Sequence, residues 1–215
     1  MSPRLLDLFC GAGGATKGYQ RAGFYVVGVD IKPQPNYCGD DFVLYDAMTV
    51  SLVTVAGGHF DAIHASPPCQ EYSALKARNP GKQWPDLVAA TRARLVCNAV
   101  PWVIENVMPA PLRSGVVLCG CMFGLRTYRA RRFESSELMM QPEHRAHTRL
   151  TSTKKRRKCF EAGLNISVTG DVGRWVGPAC MGIDWMDGNE LSQAIPPAYT
   201  EWIGRELLRI LTAVA

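Results

Sequence analysis

No stretch of the 215 residues stays apolar for the ~18 positions that a bilayer-spanning helix needs. Nor does a charged leader with a small-residue cleavage site open the chain, which enters an apolar, strand-like segment at once. A soluble, cytoplasmic protein with no membrane partner is the expectation. A strong charge bias is also missing. The 24 Lys and Arg against 19 Asp and Glu leave a formal net charge of +5, which permits nucleic-acid binding without demanding it. The 8 cysteines are irregularly spaced in a long chain, which excludes a disulfide scaffold and leaves thiols in a reducing compartment. There is no internal repeat. What remains is an ordinary globular composition, 47% apolar, of a length that suits one domain or one domain with a small appendage.

The first half alternates short β-rich runs with helical or loop stretches. Strands are predicted at 4–9, 25–30, 42–45, 61–66 and 102–107, each rich in Val, Ile, Leu or Phe and closed by a polar or Gly/Pro cluster. Their apolar residues are continuous rather than alternating, which indicates a parallel sheet covered on both faces by helices. Helices are predicted at 15–22 and at 86–99, the second with Asp86 as its N-cap and an end before Pro101. From 134 to 189 the chain turns polar and loses its periodicity. Pro196 and Pro197 then open a final helix that places Tyr199, Ile203, Leu207, Ile210, Leu211 and Val214 on one face. The expected organisation is an α/β catalytic domain (1–133 plus 190–215) carrying a small, loop-rich lobe (134–189).

Four motifs stand out, the first three where ligand sites of such sheets lie, at strand C-terminal ends. Asp7-Leu-Phe-Cys-Gly-Ala-Gly-Gly14 links the first strand to a helix, and its glycines allow a tight turn and close ligand approach. Asp30 and Asp46, at or just past the next two strand ends, suit ribose hydroxyls and an adenine amino group. The Lys-Ser/Thr of a P-loop is absent, so the ligand need not be a triphosphate. Ser66-Pro67-Pro68-Cys69-Gln70 fixes a cysteine behind two rigid prolines. A buried structural cysteine would read the same way. Glu105-Asn106-Val107 puts a carboxyl group at the end of an apolar strand, which is costly without a partner or a task. Arg129 and Arg131, two apart, share a side if the chain there is extended; a solvated charged face is the plain alternative.

In this order and at these spacings, the motifs make the chain resemble the cytosine-5 DNA methyltransferase family over nearly its whole length, down to Gln193-Ala-Ile-Pro-Pro197. The resemblance implies a Rossmann-like fold, S-adenosylmethionine as cofactor and double-stranded DNA as substrate. Compact members are familiar from bacteriophages and their hosts. It implies that Cys69 attacks C6 of a flipped cytosine. Glu105 would then protonate N3, Arg131 bind O2, and Arg129 orient Glu105 and anchor a phosphate. A cationic or dipolar setting is expected to activate Cys69. Phe9 would face the adenine, with Gly11, Ala12 and Gly13 near the methionine part, and Ile31, Pro68 and Gln193 completing the cofactor site. Pro67, Gln70, Ser73 and Asn106 would line the target base. Residues 71–83, with Lys76, Arg78, Asn79, Pro80, Gly81 and Lys82, would form the closing loop.

Departures from the family pattern are informative. The interval between the arginine pair and the final motif is short for a recognition domain, and Thr127 and Gln193 stand where Gln and Asn are usual. The basic run Lys154-Lys155-Arg156-Arg157-Lys158 falls inside that interval and would contact phosphates, or else remain a solvated surface. Cys119-Gly-Cys121 is tighter than usual zinc spacing, and His144-Arg-Ala-His147 has no cysteine pair beside it in sequence, so no metal is expected. The same catalytic motifs would serve an RNA or free-nucleotide methyltransferase, while a decayed DNA-binding homologue would be expected to have lost some of them.

Overall fold

A computed structural model of the protein describes residues 2–73, 76, 79, 81–144, 146–170, 172 and 175–214. Five parallel strands carry the sheet: β1 (Arg4–Leu8), β2 (Tyr25–Asp30), β3 (Asp41–Leu44), β4 (Ala62–Ala65) and β5 (Trp102–Asn106). These match the five apolar runs. Two further strands, β6 (Gly115–Leu118) and β7 (Arg131–Ser135), give the order β3-β2-β1-β4-β5-β7-β6. β7 runs antiparallel to β5, with Asn106 opposite Arg132 and Glu105 opposite Phe133. Its first residues therefore lie at the same sheet edge as the C-terminal ends of the parallel strands. That reversal brings the arginine motif to the Pro-Pro-Cys and Glu-Asn-Val motifs.

Helix α1 (Gly14–Ala22) follows β1, α2 (Val88–Val96) precedes β5, and α6 (Pro197–Val214) closes the chain. The helix before β5 begins later than expected. Asp86 is not its N-cap, because its carboxylate accepts the Tyr72 hydroxyl and Leu87 takes the cap position without a side-chain bond. It also ends at Val96 rather than 99. One core layer packs Leu6, Leu8, Val27, Val29, Ile63 and Ile104 against Val88 and Leu95. The opposite face packs Leu5, Val26, Val103 and Phe133 against Tyr19, Tyr199, Ile203 and Leu207. Fully burying such side chains contributes roughly 1.5–3 kcal/mol each. α1 and α6 meet closely at Gly18, where a Cβ would lie 2.1 Å from Thr200 Oγ1.

The segment after β7 is more ordered than its composition suggests. β8 (Thr151–Ser152) pairs with β9 (Asn165–Ile166), and α3 (Arg156–Glu161), α4 (Val176–Met181) and α5 (Gly188–Gln193) surround a second, smaller core. Ile166, Val168, Val176, Met181, Ile183 and Leu191 build it. An Asp187–Glu190 capping box starts α5, with Asp187 accepting from Glu190 N at 2.8 Å and Glu190 accepting from Asp187 N at 2.8 Å. No described helix is long and apolar enough to cross a membrane.

Candidate active site

A cavity of about 690 Å³ opens at the C-terminal edge of the parallel strands. Phe9, Gly11, Ala12, Asp30, Ile31, Asp46 and Gln193 line one part of it, and Pro67, Pro68, Cys69, Gln70, Glu105 and Arg131 another. Thirteen sequence-nominated residues thus share one wall, within the size range of small-molecule sites.

The Gly-rich turn is shaped by backbone needs as much as by a ligand. Gly11 has φ +51° and donates its N–H to Asp30 Oδ2 at 3.0 Å. Asp30 Oδ1 accepts from Lys32 N at 3.0 Å, so this carboxylate already braces two loops. Gly13 does not line the cavity. Its φ of +86° starts α1, and a Cβ there would meet Cys38 Sγ at 2.8 Å. Phe9 is held at φ +60°, a left-handed conformation that costs an ordinary residue roughly 1–2 kcal/mol. Such strain persists where the surroundings impose it, typically at ligand sites.

Asp7 belongs to the same motif, and no functional role was assigned to it from sequence. It is completely buried beneath the cavity; Thr16 Oγ1 donates to its Oδ2 at 2.5 Å, while its Oδ1 has no hydrogen-bond partner among the described residues. Burial, reinforced by the charges of Asp30 and Glu105 and opposed by Thr16, pushes its carboxyl up to about 7. A buried acid with one spare oxygen suits a cationic or hydrogen-donating ligand group.

The Pro-Pro-Cys turn leaves β4 and is tied from behind. Asn106 Nδ2 donates to Pro67 O at 2.9 Å, and Asn106 is fully buried. It therefore positions the turn rather than touching a substrate, contrary to the sequence expectation. Ser73 likewise lies outside the cavity wall, where its hydroxyl donates to Gln70 O at 3.2 Å.

Glu105 is buried and pairs with Arg131, whose Nε lies 3.1 Å from Oε1. Burial lifts the carboxyl above its ordinary range, against the pull of Arg131, Arg129 and a Ser66 hydrogen bond. Behind Ser66 lies a relay that the sequence did not suggest. His64 Nε2 is 2.9 Å from Ser66 Oγ, and His64 Nδ1 is 2.9 Å from Tyr19 OH. Burial lowers His64 to about 3, so the imidazole is neutral at physiological pH and fixes the serine as an uncharged support.

Arg129 departs from the expectation of a shared extended face. It has φ +37°, and its guanidinium turns away into the protein. Nε donates to Ala194 O at 2.9 Å, Nη1 to Val168 O at 2.8 Å and Nη2 to Ser192 O at 2.7 Å. Arg131, not Arg129, holds Glu105 directly. Burial and the neighbouring Arg131 charge lower Arg129 to about 9, still cationic at neutral pH. Tyr199 Oη donates to the carbonyls of Tyr128 and Arg129 at 3.1 Å each.

Cys69 is half-buried, and burial followed by the Glu105 charge raises its thiol, with Arg131 and Arg129 opposing. The expected cationic setting is present but is outweighed by burial and the Glu105 charge. The basic run is not a linear tail. Lys155 caps α3 with φ +46°, Arg156 Nη2 donates to Thr169 O at 2.9 Å, and Arg157 pairs with Glu161 at 3.0 Å and lies over the Trp175 ring. Lys154, Lys155, Arg157 and Lys158 are exposed. In 71–83, Lys76 pairs with Glu71 and Lys82 lies 4.0 Å from the Trp84 ring centroid, while Arg78 and Pro80 fall outside the described residues.

The separate Cys119/Cys121 and His144/His147 pairs, set aside as a metal site on spacing, come together in space: their four ligand atoms lie within 4.8 Å of one another. Sequence separation hid this, because the chain between 121 and 144 leaves and returns through β7.

Comparison with known proteins agrees with this geometry. The family model for C-5 cytosine-specific DNA methylase matches residues 3–109. The type II methyltransferase M1.HphI of Haemophilus parahaemolyticus is 31% identical over 85 residues, a stretch covering 34% of this chain but only 23% of that protein. Among solved structures, an E. coli prophage protein described as a DNA modification methyltransferase superposes with a TM-score of 0.65 at 15% identity, covering 98% of this chain and 100% of that one. Dnmt2 methyltransferase of S. pombe gives 0.60 at 14%, covering 97% and 99%. At these identities the likeness establishes the Rossmann-like methyltransferase fold.

Proposed function

This chain belongs to the C-5 cytosine-specific DNA methylase family, and on that premise we propose that it methylates C5 of a flipped cytosine in double-stranded DNA, using S-adenosylmethionine. The observation that carries the reading is the convergence of Cys69, Glu105 and Arg131 on the wall of one cavity whose other part is built by the Gly-rich turn, Asp30 and Asp46.

The residues present fit that cofactor. Asp30, Asp46 and Phe9 all line the cavity, where Asp30 would accept from ribose hydroxyls, Asp46 from the adenine amino group, and Phe9 would meet the adenine face. The spare oxygen of Asp7 would take the methionine ammonium. When bound, the sulfonium supplies an electrophilic methyl group.

The protein's part is to make C5 nucleophilic. Cys69 thiolate adds to C6, forming an S–C6 bond, while the proton held by Glu105 moves onto N3 and the ring electrons shift toward C5. The raised affinity of Glu105 for its proton equips it for that donation. Thiol and carboxyl are coupled electrostatically. Burial lifts Cys69 whatever the state of Glu105, but with a neutral, protonated Glu105 the added lift of its charge is gone, and Arg131 and Arg129 pull toward the thiolate without that opposition. Arg131 would hold the cytosine O2. C5 takes the methyl group; loss of the C5 proton to a base, departure of Cys69 thiolate and return of the N3 proton to Glu105 restore the neutral ring.

DNA carrying 5-fluorocytosine tests this, since the fluorine cannot leave as a proton. Wild type with cofactor should form a covalent complex that survives denaturation, and Cys69→Ser should form none. Equal trapping by both proteins would refute the nucleophile. Trapping on tRNA but not duplex DNA would keep the chemistry and overturn the substrate.

A further inference from the structure

We infer that Cys119, Cys121, His144 and His147 form a structural zinc site that fastens the small lobe's leading segment to the sheet beside the arginine motif. Three measured separations support a common central ion. Cys119 Sγ and Cys121 Sγ are 3.4 Å apart, Cys119 Sγ and His147 Nε2 3.4 Å, and His144 Nε2 and His147 Nε2 3.0 Å. Zinc bonds of about 2.3 Å to sulfur and about 2.05 Å to nitrogen, at tetrahedral angles, place ligands about 3.8 Å (S–S), 3.6 Å (S–N) and 3.3 Å (N–N) apart. Each of these three distances is within about 0.4 Å of its counterpart, and because all four atoms lie within 4.8 Å of one another, the widest pair would close by about 1 Å around an ion, within reach of side-chain rotation. The sulfur pair is much too far apart for a disulfide, which needs about 2.05 Å.

Ligand chemistry narrows the ion. Two thiolates and two imidazoles in a four-coordinate cluster select zinc over oxygen-seeking cations. Two thiolates also neutralise its charge, which matters because Cys119 is completely buried. With all four positions supplied by protein, no open position is left for a substrate, so the role is structural.

The surrounding fold is arranged to present these four atoms. The histidine segment is pinned at both ends. Gln141 bridges the main chain of β6, accepting from Val117 N at 2.7 Å and donating to Val117 O at 2.8 Å. At the far end, Tyr128 Oη accepts from Arg149 N at 2.9 Å and donates to Arg149 O at 2.7 Å. His147 stacks on the Tyr128 ring, with centroids 3.7 Å apart and planes 9° from parallel. Gly120 N donates to Tyr128 O at 2.7 Å, which locks the cysteine turn to the residue preceding Arg129. An ion here would hold β6, the 141–149 segment and the backbone that aims Arg129 and Arg131.

The test is metal content. Full-length protein, purified under reducing conditions, loaded with zinc and desalted, should retain one ion per chain by atomic emission. Cys121→Ser and His144→Ala, at positions that are not fully buried, should each retain far less while keeping a wild-type circular dichroism spectrum. Cobalt-loaded wild type should show the visible bands of a tetrahedral thiolate site, lost in both variants. Zinc should also raise the wild-type Tm and leave those of the variants unmoved. A folded, reduced wild type that retains no zinc, or variants that retain as much as wild type, would overturn the site. None of these readouts depends on methyl transfer.

Discussion

Replacing Asp7 by Asn should stabilise the ligand-free protein at neutral and alkaline pH while weakening cofactor binding. The argument starts from burial. Folding lifts the Asp7 carboxyl from 3.8 to about 7, so the folded chain holds this proton more tightly than the unfolded chain. Stability from this group is therefore complete below about pH 3.8 and is lost as pH rises to about 7. At 1.36 kcal/mol per unit, the window of 3.2 units, from 3.8 to about 7, corresponds to roughly 4 kcal/mol, an upper bound for relaxed surroundings. Asn keeps an oxygen for the Thr16 hydroxyl and carries no charge. His64 acts with the opposite sign, its neutral form contributing stability that is lost as pH falls from 6.5 toward about 3. The wild-type curve alone will therefore look flat between these limits, and only the difference between proteins isolates Asp7. Urea unfolding of both, from about pH 4 to about pH 8, supplies that difference. It should grow in favour of Asp7→Asn as pH rises and level off above 7. Calorimetry with S-adenosylhomocysteine should show weaker binding by the variant. A stability difference that stays constant across the range would refute the reasoning, whatever its size.

Two other perturbations follow from the same structure. Arg92 meets Glu134 through Nε at 2.6 Å and Nη2 at 2.7 Å, and Glu134 also accepts from Arg113 N at 2.8 Å. Glu134→Ala strands a mostly buried guanidinium and should cost about 3 kcal/mol in urea unfolding, whereas Arg92→Met with Glu134→Leu should recover most of it; equal losses would show that packing, not charge, decides. Asn106→Ala removes the bond to Pro67 O, so single-turnover methylation should slow by about tenfold or more while cofactor affinity stays near wild type. A parallel loss of cofactor affinity would mean that Asn106 shapes the whole cavity and not the cysteine turn.

Much of this fold was legible because parallel strands covered on both faces need continuous apolar residues, and five such runs stood out. β6 and β7 escaped notice for a physical reason. Gly115–Leu118 opens on a glycine and lies at the sheet edge with β7 as its one strand partner, and β7 opens with two arginines whose side chains find partners only once the sheet exists. The meeting of Cys69, Glu105 and Arg131 at one cavity was readable from motif order. Asn106 was misassigned because sequence cannot distinguish an amide facing a ligand from one bracing a turn from behind. The His64 relay and the Cys119/Cys121/His144/His147 cluster were invisible for a common reason. Both depend on which distant segments the sheet order sets side by side.

Arg129 carries a consequence for how such a protein can diversify. All three of its anchoring contacts, at Val168, Ser192 and Ala194, are to backbone carbonyls. A carbonyl looks the same whatever side chain it belongs to. The lobe, which supplies the Val168 carbonyl, and the segment just after it, which supplies the other two, can therefore exchange outward-facing residues while the anchor stays intact. What it cannot change is its path. A transplanted lobe that displaced the Val168 carbonyl by an ångström, or shifted the segment that follows it, would leave a buried cation short of partners and would disturb Arg131 two residues away. Grafts between relatives should then tolerate wide sequence change and very little change in loop length.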